Sequence, residues 1–389
     1  MMESMISSRI DIIKPSGIRK FFDIVTQMED VISLGVGEPD FATPWHVREE
    51  AIYALEKGRT NYTSNSGLLE LRQEISRYLA TSYQINYKPE TEVLVTVGAS
   101  EAIDLAMRAL INPGDEVLIP EPSYVSYSPC VILAGGVPVA VPTTEKTDFR
   151  LTSADLASCI TDKTKILILP YPNNPTGAIM DRENLIDIAQ VLRQHNILII
   201  SDEIYSELTY DGEHVSIAAI EGMYDRTLVI NGFSKSFAMT GWRLGYAAGP
   251  EVLIAAMTKI HQYAIMCCPT ISQYAAVEAL RNGMDSVKRM QEEYDRRRKL
   301  LVHGFNEIGL ECFEPKGAFY VFPCIRSLNM TSEEFCDQLL KTERVAVVPG
   351  NAFGDSGEGY IRCSYAYSLA NLQTALERIG RFVARVKQA

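Results

Sequence analysis

Short, continuous runs of apolar residues recur through the middle of the chain, and most are bounded by glycine, proline or polar residues. These runs predict six strands, at residues 93–97, 117–119, 137–141, 166–169, 197–200 and 228–230. Apolar residues at helical spacing lie between several of them, for example after Asp181, which we predict to be a helix N-cap. Continuous apolar strands separated by amphipathic helices are typical of a mainly parallel sheet that helices cover on both faces. The pattern therefore predicts an α/β fold.

The pattern changes after about residue 281. A long, highly charged helix is predicted to end at Gly309, and short strands are predicted at 318–322, 345–348 and 360–364. A closing helix is predicted to begin at about Leu369. These elements predict a smaller α+β domain that the N-terminal segment completes. We therefore expect a large domain of residues 46–280 and a small domain formed by residues 1–45 and 281–389.

The balance of charged residues argues against some classes of binding partner. The 389 residues include 37 Lys and Arg against 49 Asp and Glu, giving a net charge of −12. This acidic balance argues against nonspecific binding to nucleic acid or to an anionic membrane. The basic run at 296–299 follows acidic residues on a predicted helix, so we interpret it as a solvated helix face. The uncharged stretch 122–144 contains four prolines and two glycines, which favour a loop, a helix and a strand over a membrane span.

The cysteines and the N-terminus indicate in which cellular compartment the protein is expected to reside. The eight cysteines show no paired spacing of the kind that binds zinc, and most have apolar neighbours. We interpret them as buried, reduced thiols, and we expect neither a disulfide framework nor a metal site. The N-terminus carries early acidic residues and no continuous apolar segment, which is unlike a secretory signal. These features predict a cytoplasmic protein.

Polar residues follow four of the predicted strands, where open α/β sheets bind their ligands. Residues 98–100 open a predicted helix, Asn174 lies in a turn, Asp202 follows a buried strand, and Lys235 precedes Arg243 by eight positions. Taken singly, these features have structural explanations: a helix cap, a turn, a structural carboxylate and a surface lysine. Taken together, an anion-binding helix end, an amide, a carboxylate and a Lys–Arg pair predict a ligand site at one edge of the sheet.

Nine segments distributed along the chain give a more specific signal. They are VGEPDF (36–41), NYTSNSG (61–67), VGAS (97–100), EPSYVSY (121–127), PNNPTG (172–177), SDEIYSEL (201–208), SKSFAMTGWRLGY (234–246), GAFY (317–320) and IRCSYA (361–366). In their order and spacing the chain resembles the class I/II aminotransferases, which are pyridoxal-phosphate (PLP) enzymes of fold type I. Within that family it most resembles the N-acetyl-L,L-diaminopimelate and aromatic aminotransferases. The resemblance implies a large PLP-binding domain and a smaller α+β domain.

The resemblance also implies roles for residues around the cofactor ring. Lys235 would bind the cofactor covalently and then move the substrate proton, and Asp202 would pair with the pyridine nitrogen. Tyr205 and Asn174 would donate hydrogen bonds to the phenolic oxygen, and Tyr124 would stack on the ring. The catalytic residues implied in this way are Lys235, Asp202 and Tyr205.

The cofactor phosphate is expected to bind at the start of the helix that follows residue 97. The resemblance implies that the amides of Ala99 and Ser100, together with Ser234 and Arg243, contact it. Tyr62 would reach the same phosphate from the other subunit. This last role implies a homodimer with shared active sites.

The substrates implied are an L-amino acid and a 2-oxo acid, with 2-oxoglutarate the expected acceptor. Arg362 would bind the substrate α-carboxylate, aided by Asn174 and the amide of Gly37. Ser100 stands where some dicarboxylate-selective members have a lysine, which weakens an aspartate-specific interpretation and leaves aromatic or acylated diamino acids open. Apolar residues near the N-terminus either close over a bulky substrate or pack the small domain, and they are Ile13, Ile18, Phe21 and Phe22.

Three other functions compete with this interpretation. A PLP-dependent carbon–sulfur β-lyase would use the same cofactor residues. A noncatalytic PLP-binding sensor is usually fused to an N-terminal DNA-binding domain, for which the 35 residues that precede the first motif are too few. A dinucleotide-binding oxidoreductase is disfavoured because Gly35 and Gly37 lack the third glycine and the following helix.

Overall fold

The computed structural model describes residues 6–13, 28 and 30–388. Within them the strands are, in chain order, β1 (Ile32–Ser33), β2 (Val93–Thr96), β3 (Glu116–Glu121), β4 (Val137–Pro142), β5 (Thr164–Leu169), β6 (Leu198–Asp202), β7 (Thr227–Gly232), β8 (Gly245–Ala248), β9 (Tyr320–Val321), β10 (Val345–Ala346), β11 (Val348–Pro349) and β12 (Ile361–Ser364). The helices are α1 (Ser8–Ile12), α2 (Trp45–Glu56), α3 (Leu69–Tyr83), α4 (Gly98–Leu110), α5 (Tyr127–Ala134), α6 (Ser153–Cys159), α7 (Arg182–Leu192), α8 (Glu251–Ala264), α9 (Thr270–Asn282), α10 (Met284–Glu307), α11 (Ser332–Glu343) and α12 (Leu369–Gln388).

A seven-stranded sheet of order β2-β8-β7-β6-β5-β3-β4 forms the centre of the molecule. All its strand pairs are parallel except those of β8, which is antiparallel to β2 and β7. In β5, Ile166 and Ile168 pack into one core, and Leu167 and Leu169 pack into another on the opposite face. The predicted mainly parallel sheet, covered on both faces, is therefore confirmed.

The predicted N-cap at Asp181 is also confirmed. Its carboxylate accepts from the Asn184 peptide N–H at 2.8 Å, and the Asn184 side chain accepts from the Asp181 N–H at 3.3 Å. This reciprocal pair satisfies backbone donors that the first turn of a helix leaves free. It fixes the start of α7, which connects β5 to β6.

The two ends of the described chain meet in a second unit. β1 pairs with β10 in parallel, and β11, β12 and β9 form a separate antiparallel sheet. Its core contains Leu34 from the N-terminal part, Phe305 of α10 and Phe382 of α12, but also Tyr205 from the loop after β6. The predicted domain bounds of 46–280 against 1–45 and 281–389 stay a prediction.

The structure corrects the interpretation of the basic run on α10. Arg296 and Lys299 are exposed, but the side chains of Arg297 and Arg298 are only 7% and 2% exposed. Arg297 Nη1 lies 2.8 Å from a carboxylate oxygen of Asp40. Consecutive helix positions point about 100° apart, so adjacent basic residues need not share a face. The run is therefore half solvated and half buried.

The uncharged stretch 122–144 forms α5 and β4, as predicted. No helix among the described residues is both long enough and apolar enough to cross a membrane. The eight cysteines are free thiols; Cys268, Cys312, Cys336 and Cys363 are buried, and the other four are half-buried.

Candidate active site

A cavity of about 630 Å³ opens at the carboxyl ends of the central strands and beneath β9 and β12. Its wall includes every predicted site residue except Tyr62, and these residues are Gly37, Ala99, Ser100, Tyr124, Asn174, Asp202, Tyr205, Ser234, Lys235, Arg243 and Arg362. Parallel strands that end at one edge of a sheet bring these distant segments together.

Lys235 lies in the turn that follows β7, and its amine points into the cavity. Nζ donates a hydrogen bond to the Gly37 carbonyl at 2.7 Å. Shielding from water lowers the pKa of Lys235 to about 8, although the nearby Glu38 carboxylate opposes this shift. This value also includes the effect of Arg362 and Arg243, whose positive charges act in the same direction as burial. An amine with this pKa can act as a base close to neutral pH.

Asp202, the last residue of β6, presents a carboxylate that is 5% exposed. The Tyr127 hydroxyl donates to Oδ2 at 2.7 Å, and the Ile204 N–H donates to Oδ1 at 3.2 Å. Burial raises the pKa of Asp202 to about 6, while these two hydrogen bonds act in the opposite direction. Tyr127 was not predicted as a site residue, although it stands three positions after Tyr124 in the EPSYVSY segment.

Tyr205 and Tyr320 meet across the cavity, with their hydroxyl oxygens 2.9 Å apart. Tyr320 comes from β9, and it is a second functional candidate that the sequence reasoning missed, although it closes the GAFY segment. A Cβ atom at Gly37 would lie 2.5 Å from the Tyr320 hydroxyl oxygen. Only glycine therefore allows residue 37 to approach this tyrosine so closely.

Arg362, on β12, is 3% exposed and spans the cavity. Its Nη1 donates to the Asn174 side-chain oxygen at 2.9 Å, and its Nη2 donates to the Gly35 carbonyl at 2.5 Å. Its buried Nε has no acceptor among the described residues. A guanidinium with a spare, buried donor is suited to bind a carboxylate.

Arg243 and the N-terminus of α4 form a second candidate anion-binding site. Gly98 has φ of +76°, and a Cβ atom there would lie 2.6 Å from Arg243 Nη2. At Gly245, a Cβ atom would lie 2.5 Å from the Ala99 peptide nitrogen. The guanidinium thus packs against the N-terminus of α4, where peptide N–H groups and the helix dipole attract negative charge. Ala99, Ser100 and Ser234 line the same part of the cavity.

Tyr62 and the apolar N-terminal residues, which also have predicted roles, are not among the described residues that line this cavity. Tyr62 is 80% exposed and does not line the cavity of its own chain, so its role from the other subunit stays a prediction. Of the apolar N-terminal residues, Ile13 is half-buried, and Ile18, Phe21 and Phe22 lie outside the described residues.

Comparison with known proteins identifies the family. The family model described as "Aminotransferase class I and II" matches residues 29–379. An aspartate aminotransferase from Pyrococcus abyssi is 48% identical over 98% of this chain and 99% of its own length. A probable N-acetyl-LL-diaminopimelate aminotransferase from Bacillus subtilis is 45% identical over 100% of this chain and 98% of its own. The crystal structure of an aromatic aminotransferase from Pyrococcus horikoshii is 48% identical, covers 95% of this chain and 100% of its own, and superposes with a TM-score of 0.91. The chain therefore belongs to the class I and II aminotransferases, whose cofactor is pyridoxal 5′-phosphate.

Proposed function

We propose that this aminotransferase moves the amino group of an aromatic or N-acetyl-L,L-diaminopimelate-type amino acid to 2-oxoglutarate. The observation that carries the proposal is the arrangement of Lys235, with its lowered pKa, in one cavity with the buried Asp202 and Arg362. Lys235 can move a proton, Asp202 can pair with a cation, and Arg362 can bind a carboxylate.

The cavity fits pyridoxal phosphate in its chemistry. The anion-binding corner of Ala99, Ser100, Ser234 and Arg243 would hold the phosphate, and Tyr62 of the partner subunit would complete it. The close approach of Arg243 to Gly98 leaves no room for a side chain at that corner.

The other groups would hold the ring. Asp202 would pair with the ring nitrogen, Tyr205 and Asn174 would contact the phenolic oxygen, and Tyr124 would cover one face. When bound, the cofactor supplies an aldehyde that takes up an amine and a ring that accepts electrons from the substrate.

The remaining steps belong to the residues of the chain. Arg362 orients the amino acid by its α-carboxylate, using the Nε donor that has no acceptor among the described residues. Lys235 Nζ accepts the proton from the substrate Cα, and the Gly37 carbonyl restrains the amine before it acts. Asp202 remains ionised at neutral pH because its pKa of about 6 is lower than 7.

The charges of the cavity support the choice of substrate. Its lining contains three basic residues, Lys235, Arg243 and Arg362, and each already has a proposed partner. Glu38 adds a negative charge at the mouth. A short dicarboxylate such as aspartate would bring a second carboxylate to a place without a free cation among the lining residues. An aromatic ring avoids that cost. A carboxylate on a longer chain, as in the acceptor 2-oxoglutarate or in an acylated diamino acid, also avoids it because it can extend toward solvent.

Exposed apolar side chains support the proposed homodimer. Tyr62 is 80% exposed, Tyr263 is 88% exposed, and Met266 is 45% exposed. The segments that carry them are joined, since Asn65 donates to the Met266 carbonyl at 2.8 Å. A clustered apolar surface of this kind is typical of an interface. The cytoplasmic location stays a prediction.

A panel of amino donors with 2-oxoglutarate tests the substrate. We expect phenylalanine, tyrosine or N-acetyl-L,L-diaminopimelate to exceed aspartate in kcat/KM by about tenfold or more, the cost of placing an unpaired charge near a buried site. Aspartate as the best donor would contradict the choice of substrate. Release of pyruvate and ammonia without an acceptor would instead favour the carbon–sulfur β-lyase.

Lys235→Ala tests the proton transfer. We expect this variant to lose turnover, because no other base has been assigned to the substrate Cα, while it still folds and binds the cofactor noncovalently. Circular dichroism and cofactor absorbance check the fold and the binding. Substantial transamination by a folded Lys235→Ala variant would contradict the role of the lysine.

A further inference from the structure

A buried polar network supports the end of β6 and the turn that follows it at residues 204–207, which together carry two of the site residues. Asp202 and Tyr205 line the cavity, whereas Glu203, between them, is completely buried and does not belong to the cavity wall. The Glu203 peptide N–H donates to the Ile230 carbonyl at 2.8 Å, which ties the turn to β7. The carboxylate of Glu203 therefore lies in the support of the turn rather than in the substrate pocket.

The Glu203 carboxylate has three hydrogen-bond partners. Oε1 accepts from Ser201 Oγ at 2.8 Å and from Ser216 Oγ at 2.5 Å, and Oε2 lies 3.0 Å from His214 Nε2. The His214 side chain is itself only 9% exposed. Three donors stabilise the charged form of a buried carboxylate. The network thus holds a negative charge directly behind Asp202.

A second carboxylate fixes the far end of the turn. Glu207 accepts hydrogen bonds from Tyr78 and from Tyr83, the latter at 2.6 Å. The Tyr83 ring packs edge-on against the ring of His214, with centroids 5.2 Å apart. The two carboxylates are therefore linked through His214 and Tyr83, and the turn between them is held at both ends.

We propose that Glu203 and His214 are positioning residues for Asp202 and Tyr205. The inference rests on the proposed function, because it assigns the pair to the support of that site. The contacts of Glu203 hold the turn, and its charge adds to the negative potential with which Asp202 meets a cationic partner.

Few groups can change that potential. The titratable groups that face Glu203 are Asp202, His214, Tyr87 and Tyr246. Burial raises the pKa of both tyrosines well above their usual value, so they remain neutral. His214 is the basic residue that contacts the Glu203 carboxylate directly.

The test compares Glu203→Gln with the wild-type holoenzyme. Glutamine keeps the shape and can still accept from the two serines, but it removes the charge. We expect kcat to fall about tenfold. This is the lower end of the loss measured for metal ligands when the hydrogen-bond partner that orients the ligand is removed, and Glu203 would orient the turn in a comparable way. KM for the amino donor should change by less than about twofold, because Arg362 is untouched. The pH midpoint of the bound cofactor's visible absorbance should move about half a unit lower, since a nearby negative charge is lost.

Two histidine variants separate the hydrogen bond from the packing. His214→Phe keeps a ring against Tyr83 but removes the donor to Glu203, and we expect the same loss of kcat. His214→Gln can still donate from its amide, and it should retain most of the activity. Asp187→Asn, on the exposed face of α7, is the matched control for removal of a carboxylate and should match the wild type.

Two results would overturn the proposal. One is a folded Glu203→Gln variant with wild-type kcat and absorbance midpoint. The other is a loss of kcat that follows the unfolding free energy alone, with the midpoint unmoved in both Glu203→Gln and His214→Phe. If the wild type accepts no amino donor, the proposed function fails, but the absorbance midpoint still tests the positioning role.

Discussion

At the scale of single residues, Lys235 and Asp202 show how burial changes the pKa values of a lysine and an aspartate that line one cavity. Burial lowers the pKa of Lys235 to about 8 and raises the pKa of Asp202 to about 6. The low-polarity surroundings disfavour the charge on both groups, so both pKa values move toward neutrality. A single hydrogen bond can then decide the charge state. Tyr127, whose pKa burial raises well above its usual value, remains a donor to Asp202.

Tyr127→Phe removes this donor while keeping the ring. The hydrogen bond favours ionised Asp202, so its loss should raise the pKa of Asp202 above about 6. More of the carboxyl is then protonated at neutral pH, and the acid limb of the pH profile of kcat/KM should move to higher pH. We expect about a tenfold loss near neutral pH, the scale of one hydrogen bond to a charged group.

Tyr171→Phe is a suitable control for this experiment. Its hydroxyl is also buried, and it donates to the Phe149 carbonyl at 3.0 Å outside the cavity wall. The control should lose stability without a change in the pH profile. An unmoved acid limb in Tyr127→Phe would show that the tyrosine does not influence Asp202.

At the scale of elements, the charged helix α10 owes part of its stability to an arginine that is nearly inaccessible to water. The guanidinium of Arg298 contacts Asp295 at 2.7 Å and Glu314 at 2.9 Å, and it also donates to the Pro315 carbonyl at 2.9 Å. These contacts join α10 to the loop that leads to β9 and Tyr320. The same helix leaves Lys299 exposed to solvent, which provides a comparison within one element.

We expect Arg298→Ala to lower the free energy of unfolding by about 2 kcal/mol, because it removes a buried hydrogen-bonding group and leaves a cavity. The expected loss of stability is modest because Glu314 is 59% exposed and can be solvated by water. Lys299→Ala should change the free energy of unfolding by less than about 0.5 kcal/mol. Urea denaturation measures both, and equal effects would contradict the different burial of the two side chains.

The elements also show what a sequence alone can predict. The runs of Val, Ile and Leu marked β2 to β7, and such residues suit strands that are buried on both faces, as all of these except β4 largely are. β8, with the sequence GYAA, lacks that signal, and only its pairing between β2 and β7 makes it a strand. Tyr127 and Tyr320 were missed as site residues for a related reason. Each acts on a partner far away in sequence, and short-range patterns do not record such contacts.

At the scale of the whole molecule, the cavity lies where the two ends of the chain meet the central sheet. Gly35 and Gly37 come from the N-terminal part, Lys235 comes from the turn after β7, and Arg362 comes from β12. The direct contacts that join them make the cavity a product of both units. Tyr62 is exposed and does not line the cavity of its own chain, and we expect it to contribute to the cavity of a second subunit.

Subunit mixing tests whether Tyr62 serves the site of the partner subunit. Tyr62→Ala and Lys235→Ala each damage every site of their own homodimers. In a mixed dimer, the site that contains Lys235 would receive an intact Tyr62 from the other chain. Random mixing makes half of the dimers mixed, each with one intact site, so we expect about a quarter of the wild-type activity at limiting cofactor. If Tyr62 acted within its own chain, the mixed dimer would contain no intact site, and activity would not rise above that expected from the two variants alone.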